Sequence, residues 1–453
     1  MKIIIAGCGK IGSKITERLV EEGHEILIVD SQNSVIQDIT NVYDVMGICG
    51  NCVDSDILEE ANAGEADLFI AVSDSDELNM LSCFLAKKMG AANTVARIRT
   101  PEYNDKSLAV MKKNLEISLP INPERLAARE LFNILKFPSA IKLERFSGTN
   151  MEMIEFSLKE DSVFDGVKLS EIRQKFKANV LVSCIQRGDE VYIPDGNFIL
   201  KSGDKLGIIA SHTELQKLFR FSGVLKKQAR DVIILGGSRI AYYLAEMLAE
   251  SGISVKIIDK DEKVCQTLGD LLPKAVIIHG DGANQELLMS EGLSRTDAFV
   301  SLTGADETNI LISMFAMTNN VPKIITKINR DELIPLAERL GLESIISPKK
   351  IVSDLVQSYA RALENSLGSN VETLYKLMDD KVEALEFNVR DESPVINIPL
   401  KELTLSKDVL IIGIIRDRKI ITPSGDTVIL PGDRVVIITT DQGLGDISDI
   451  MVK

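Results

Sequence analysis

The sequence predicts two doubly wound α/β domains, each followed by a crossover helix and a small α+β domain. Three observations carry that expectation. The chain repeats itself at a fixed spacing. Short apolar runs alternate with longer helical stretches in the first part of each repeat. Turn-rich strand patterns fill the second part.

The repeat sets the organisation. Gly7 and Gly236 stand 229 residues apart, as do Asp30 and Asp259. Gly50 and Gly280, Asn79 and Asn309, and Arg97 and Lys327 stand 230 apart. Pro194-Asp195-Gly196 matches Pro423-Ser424-Gly425, and Gly203-Asp204 matches Gly432-Asp433, again at 229. At about 150 residues per domain, a 453-residue chain suggests three domains. The repeat raises that to four: 1–145, 146–225, 226–370 and 371–453.

In the first part, Ile3 to Ala6, Ile26 to Val29, Val45 to Cys49, Leu68 to Val72 and Val95 to Ile98 read as five buried strands. Continuous apolar runs without alternation fit a parallel sheet covered on both faces. A proline-led helix follows, from Pro123 to Lys136, and its counterpart starts at Pro348. Ile351, Val352, Leu355, Val356, Tyr359, Ala360 and Leu363 form a helical apolar stripe, which packs either on its own domain or on a partner lobe. The second part shows strands at Ile154 to Leu158, Val180 to Ile185 and Lys205 to Ala210, with one helix near Leu169 to Phe176.

Composition narrows the function. Hydrophobic residues make up 45% and charged residues 26%, as in ordinary soluble domains. Acidic residues number 67 against 52 basic ones, a net charge of −15. That balance argues against nucleic acid and against anionic lipid as partners. No apolar run approaches the roughly 18–20 residues of a membrane span, so no direct membrane insertion is expected. Six dispersed cysteines fit a reducing cytoplasm.

Gly7-Cys8-Gly9-Lys10-Ile11-Gly12 is a G-x-G-x-x-G between a strand and a helix, with Asp30 eighteen residues on. Gly7 makes the tight turn, Gly9 lets a pyrophosphate reach the backbone, and Gly12 lets helix and strand approach. The helix N-terminus offers free N–H groups to phosphate. Asp30 is placed for the ribose hydroxyls and favours NAD over NADP. Both lobes are therefore expected to be Rossmann-like. The second copy reads Gly236-Gly237-Ser238-Arg239-Ile240-Ala241 with Asp259. Ser238 adds a side chain where the phosphates should come, so this site binds more weakly, binds a smaller nucleotide, or is a structural relic.

Lys10 and Arg239 are either terminal-phosphate readers or solvated charges. Ser73-Asp74-Ser75-Asp76-Glu77 and Thr303-Gly304-Ala305-Asp306-Glu307 follow the fourth strand at the cofactor edge, with Ser73 or Asp76 also read as helix caps. Asn51 and Asp281 follow the third strand, where a side chain meets the adenosine. Arg97 and Lys327 end the fifth strand, as phosphate ligands or surface charges. Cys49-Gly50-Asn51-Cys52 has redox or zinc-knuckle spacing, but lacks a second pair and recurs as His279 and Gly282. His24, His212 and His279 form no base-plus-orienter set.

These features resemble the TrkA family, in which each half is an RCK (KTN) unit with its TrkA-C domain. The specific parts are the glycine turn with Asp30, the segment Ala71-Val72-Ser73-Asp74-Ser75-Asp76-Glu77-Leu78-Asn79, the segment Ala96 to Tyr103, and the duplication. The resemblance implies a peripheral cytoplasmic subunit on the inner face of the cell membrane, attached through a Trk-type potassium transporter. It implies binding of NAD(H), with ATP and ADP as alternative ligands, in a ring clasped by the proline-led helices. Four chains would supply eight lobes, and ring shape would set potassium uptake. By position it implies a first site of Gly7, Cys8, Gly9, Lys10, Ile11, Gly12, Asp30, Ser31, Asn51, Ser73 and Arg97. The second would hold Gly236, Ser238, Arg239, Asp259, Asp281 and Lys327. Asn51, where an acid is common, and Ser238 depart from the family pattern.

The expected role is regulatory and not enzymatic. An NAD-dependent oxidoreductase is the alternative, because the fingerprint reports binding and not chemistry. Small second domains without a His–Asp or Tyr–Lys constellation argue against it. A further alternative places a small anion or signalling nucleotide between the α+β domains.

Overall fold

Strand β1 (Lys2–Ala6) opens a six-stranded parallel sheet of order β3-β2-β1-β4-β5-β6. In chain order the lobe runs α1 (Lys10–Glu21), β2 (Glu25–Asp30), α2 (Asn33–Thr40), β3 (Met46–Cys49), α3 (Ser55–Glu60), β4 (Leu68–Ala71), α4 (Asp76–Met89), β5 (Asn93–Arg97), α5 (Asp105–Asn114), β6 (Leu119–Ile121) and α6 (Pro123–Lys136). The order reverses between β1 and β4, which opens a crevice at the carboxyl ends of those strands. The structure, a computed structural model, describes all residues except 101–102, 104, 137–140, 146–150, 160–161, 223–228, 367–370, 379–380, 418, 422, 442–443, 445 and 452–453.

The five expected strands of the first lobe are present, and β6 is a sixth. Its core is the expected apolar set: Ile4, Ala6, Phe69, Ala71 and Ala96 pack with Leu58, Cys83 and Ala86 of the helices. Ile5, Phe69 and Ile70 are fully buried, as strands covered on both faces must be.

A small antiparallel sheet follows: β7 (Lys142–Arg145), β8 (Met151–Ser157), α7 (Leu169–Phe176), β9 (Leu181–Arg187), β10 (Glu190–Tyr192), β11 (Lys205–Ser211) and α8 (His212–Phe221). Its order is β10-β9-β11-β8-β7. The sequence had shown three of these strands and α7.

The second lobe repeats the first. It comprises β12 (Asp231–Leu235), α9 (Arg239–Glu250), β13 (Ser254–Asp259), α10 (Glu262–Leu271), β14 (Val276–His279), α11 (Gln285–Ser290), β15 (Ala298–Ser301), α12 (Asp306–Thr318), β16 (Lys323–Lys327), α13 (Ile334–Arg339), β17 (Ile345–Ile346) and α14 (Pro348–Ser366). Its sheet order is β14-β13-β12-β15-β16-β17. The last sheet, β18 (Val371–Leu377), β19 (Val382–Asn388), β20 (Val409–Arg416), β21 (Lys419–Ile421) and β22 (Arg434–Thr439), has the order β18-β19-β22-β20-β21. That is the topology of the first small sheet, read from the other edge.

The repeat extends to side chains. Arg187 donates through Nε and Nη2 to the two oxygens of Asp204 at 2.7 and 2.8 Å. Arg416 does the same to Asp433 at 2.8 and 2.7 Å. Both carboxylates are buried, and each also accepts a turn N–H, from Lys201 and from Leu430. This bidentate clasp explains why Gly-Asp recurs at the matching turns.

The chain divides into two compact units: Met1–Ala128 with Ser347–Ala360, and Arg129–Ile346 with Arg361–Lys453. Most of α14 thus belongs with the first lobe, which answers the question its apolar stripe posed. Val352, Val356 and Ala360 are fully buried there, and so is the polar Gln357, whose amide donates to Glu22 of that lobe. In the other unit, the two small sheets share a core of Met153, Cys184 and Ile209 with Val382, Ala384, Ile412 and Ile438. The expected domain boundaries at 145/146, 225/226 and 370/371 abut or fall on residues outside the described set and stand as a proposal. Among the described residues, no helix is long and apolar enough to cross a membrane.

Candidate functional site

The glycine turn sits where the strand order reverses. Gly7 has φ +90°, a conformation that favours glycine, and a Cβ there would lie 2.5 Å from the Ser73 nitrogen. A Cβ on Gly12 would fall under 3.0 Å from the Gly7 carbonyl, so helix and turn touch at that point. Gly9 differs, because a Cβ on it would meet nothing within 4 Å. No contact inside the protein requires glycine there. Gly9 is the N-cap of α1, and no side chain caps that end. The first-turn N–H groups, with the positive end of the helix dipole, therefore have no side-chain cap, and such an end suits an anion.

Asp30 anchors this turn. Its Oδ2 accepts the Cys8 N–H at 2.7 Å and its Oδ1 accepts the Gln32 N–H at 2.9 Å. Each oxygen keeps a second lone pair for a ribose hydroxyl. The Gly50 N–H donates to the Asp30 carbonyl at 2.9 Å, which brings Asn51 to the same edge. Asn51 is exposed and accepts the Val53 N–H at 3.2 Å. Ser31 is exposed beside it, and its carbonyl faces the Cys49 thiol at 3.6 Å. Ile11 lies in the first turn of α1, and Lys10 is exposed with no polar partner among the described residues.

The far wall is held by a residue that the sequence showed only as a repeat landmark. Asn79 is fully buried on α4. Its Oδ1 accepts from the Ser73 N–H at 2.8 Å and the Ser73 hydroxyl at 2.7 Å. Its Nδ2 donates to the carbonyls of Ser73 and Arg97 at 3.0 and 2.9 Å. One side chain thus fixes the ends of β4 and β5 together. Asp76 is also buried, and its Oδ2 accepts from the N–H groups of Arg99 and Thr100 at 2.9 and 2.8 Å. The cap of α4 is neither Ser73 nor Asp76 but Ser75, which accepts the Leu78 N–H at 3.2 Å. The recurrence of Asn79 and Asp76 as Asn309 and Asp306 was the signal for their role.

Arg97 is not a surface charge. It is 5% exposed and donates to the Ser73 carbonyl at 2.6 Å and to Asp74 at 2.9 Å. Burial and the neighbouring Arg99 hold its guanidinium below the usual value. The first set is thus brought together, from Asp30 through the turn to Ser73 and Arg97.

The second set, Gly236, Ser238, Arg239, Asp259, Asp281 and Lys327, comes together in the same way. Asp259 accepts from Gly237 N–H at 2.5 Å and Asp261 N–H at 2.8 Å. Asp281 accepts the Ala283 N–H at 2.9 Å. Asn309 joins Thr303 to the Lys327 carbonyl, and Lys327 is buried with Nζ on the Leu302 carbonyl at 3.2 Å. Arg239, like Lys10, is exposed without a polar partner among the described residues. The difference lies at the cap, where Ser238 Oγ accepts the Ala241 N–H at 3.3 Å.

All six cysteines are free thiols, and Cys49 alone is exposed. Burial and the charge of Asp30 push the Cys8 thiol up to about 12. Cys8 therefore stays protonated and unreactive at neutral pH, although it lies in the turn. A maleimide at pH 7.5 is expected to label one thiol rapidly, Cys49, as read by peptide mass spectrometry. Rapid labelling of Cys8 would contradict its burial.

The TrkA-N domain model matches residues 3–116 and 232–348, and the TrkA-C domain model matches residues 153–223 and 384–452. The Archaeoglobus fulgidus protein named Trk system potassium uptake protein TrkA homolog is 30% identical over 450 residues, 99% of this chain and 100% of the relative. The chain belongs to the TrkA family. The Haemophilus influenzae protein named Trk system potassium uptake protein TrkA is 27% identical, over 98% of this chain and 96% of its own. A solved structure described as GsuK channel bound to NAD superposes with a TM-score of 0.63 at 16% identity, covering 97% of this chain and 77% of that one. It shares the fold of this TrkA-family chain. Each glycine turn described above lies within a TrkA-N match.

Proposed function

We propose that this TrkA-family chain is the nucleotide-sensing regulatory subunit of a Trk-type potassium uptake system. The observation that carries the reading is the uncapped end of α1 at Gly9, open to an anion, with Asp30 at the tip of β2. NAD(H) is the proposed ligand, with ATP and ADP competing for the shared adenosine diphosphate part. Gly7, Cys8, Gly9, Ile11 and Gly12 cradle the pyrophosphate, and Asp30, Ser31 and Asn51 take the ribose and adenosine. Ser73 and Arg97 form the opposite wall, and Lys10 reads a terminal phosphate.

A ligand shifts a two-state equilibrium only by its differential affinity for the two states. Nucleotides that share one half and differ in charge at the other meet that condition. The chain acts in the cytoplasm, reaching the membrane through the transporter, and four copies form a ring of eight lobes. It does not turn over its nucleotide.

Titration of the purified chain with NADH, NAD, ATP and ADP tests the reading, followed by incubation of NADH with carbonyl substrates. Saturable binding without turnover is expected, whereas sustained NADH oxidation would favour an oxidoreductase. Asp30→Ala removes a ribose acceptor and frees the Cys8 N–H, so NADH affinity is expected to fall at least about tenfold. Unchanged affinity would place the ligand elsewhere. Co-purification with a membrane potassium transporter tests the partner.

A further inference from the structure

We infer that the chain takes up one pyrophosphate-bearing nucleotide, in the first lobe, and that Ser238 closes the matching place in the second. This rests on the nucleotide reading above and adds the residue that sets the stoichiometry.

The two caps have nearly the same backbone. Gly9 has φ −65° and ψ −164°, and Ser238 has φ −71° and ψ 167°. Both turns are tied to their acidic residue in the same way, Cys8 N–H to Asp30 and Gly237 N–H to Asp259. Gly7 and Gly236 both have positive φ and both press on the loop after the fourth strand. The lobes therefore present the same cradle, apart from what fills it.

In the first lobe the volume beyond the Gly9 Cα is open, and α1 has no side-chain cap. In the second, a hydroxymethyl group stands in that position. Its oxygen already accepts the Ala241 N–H, one of the first-turn amides that a phosphate would compete for. A pyrophosphate entering this place would have to displace Ser238 Oγ from that amide. The serine thus acts as a built-in substitute for the anion. It satisfies one amide of the helix end without ligand, while Gly9 leaves every first-turn amide without a side-chain cap.

Calorimetric titration of the full chain with NADH tests this. Wild type is expected to bind one equivalent per chain. Ser238→Gly is expected to bind two, since glycine is nearly as good an N-cap as serine and the fold is retained. The double variant Gly9→Ser/Ser238→Gly is expected to bind one, now in the second lobe, so the test survives if either single variant misbehaves. Two equivalents in wild type, or one in Ser238→Gly, would overturn the inference and leave the nucleotide reading standing. No binding of NADH or ADP to wild type would overturn the nucleotide reading itself, and this inference with it.

Discussion

Gly12→Val is expected to destabilise the first lobe by about 3 kcal/mol, the upper range for forcing bulk into a close-packed site. The new Cβ would sit on the Gly7 carbonyl, and one methyl would press toward Val72. Neither neighbour can yield cheaply. Gly7 is held by its own positive φ and by its N–H bond to the Val29 carbonyl at 2.8 Å. The second lobe shows what accommodation requires. Ala241 occupies the matching place, fully buried, and there the Gly236 turn stands farther from its loop: a Cβ on Gly236 would meet backbone at 2.9 Å rather than the 2.5 Å found at Gly7. Gly12→Ala should therefore be milder than Gly12→Val. Urea denaturation reads both, and a valine variant as stable as wild type would contradict the close approach.

Asn79→Ala is expected to cost about 2–3 kcal/mol, because it strands several buried polar groups at once. The Ser73 N–H and hydroxyl lose their acceptor, and the carbonyls of Ser73 and Arg97 lose a donor. Arg97 still bonds the Ser73 carbonyl, so the wall loosens without collapsing. NADH affinity should fall along with stability, since Ser73 supports Gly7. Asn79→Asp keeps the acceptor and loses both donors, and should fall between wild type and alanine. A loss under about 0.5 kcal/mol for Asn79→Ala would show that the corner is held by other contacts.

Some of this was legible in the sequence. The glycine turn, Asp30 and the five long strands showed because each has a local signature: positive φ, a strand tip, an unbroken apolar run. The sixth strands did not. Leu119–Ile121 carries a proline and Ile345–Ile346 has two residues, too few to show a period. In the small domains, β10 and β21 are three-residue edge strands and escaped notice for the same reason. Arg97 and Lys327 stayed ambiguous because burial of a charge depends on which carbonyls the fold brings near it. Asn79 went unread because its partners lie on a loop and on the next strand, and only the fold makes them neighbours. The lobe that receives α14 could not be read, because an apolar stripe marks a buried face without saying what buries it.

The uncapped helix end at Gly9 is the proposed nucleotide site. Fluorescence titration of NADH with wild type and Gly9→Ser tests it most directly. Serine fits the extended backbone at this N-cap, and its Cβ meets nothing within 4 Å, so the variant should melt at or above the wild-type temperature. This fully folded variant is expected to lose NADH binding by at least about a hundredfold, through a filled cradle and a satisfied amide. Binding equal to wild type in a folded Gly9→Ser would contradict it.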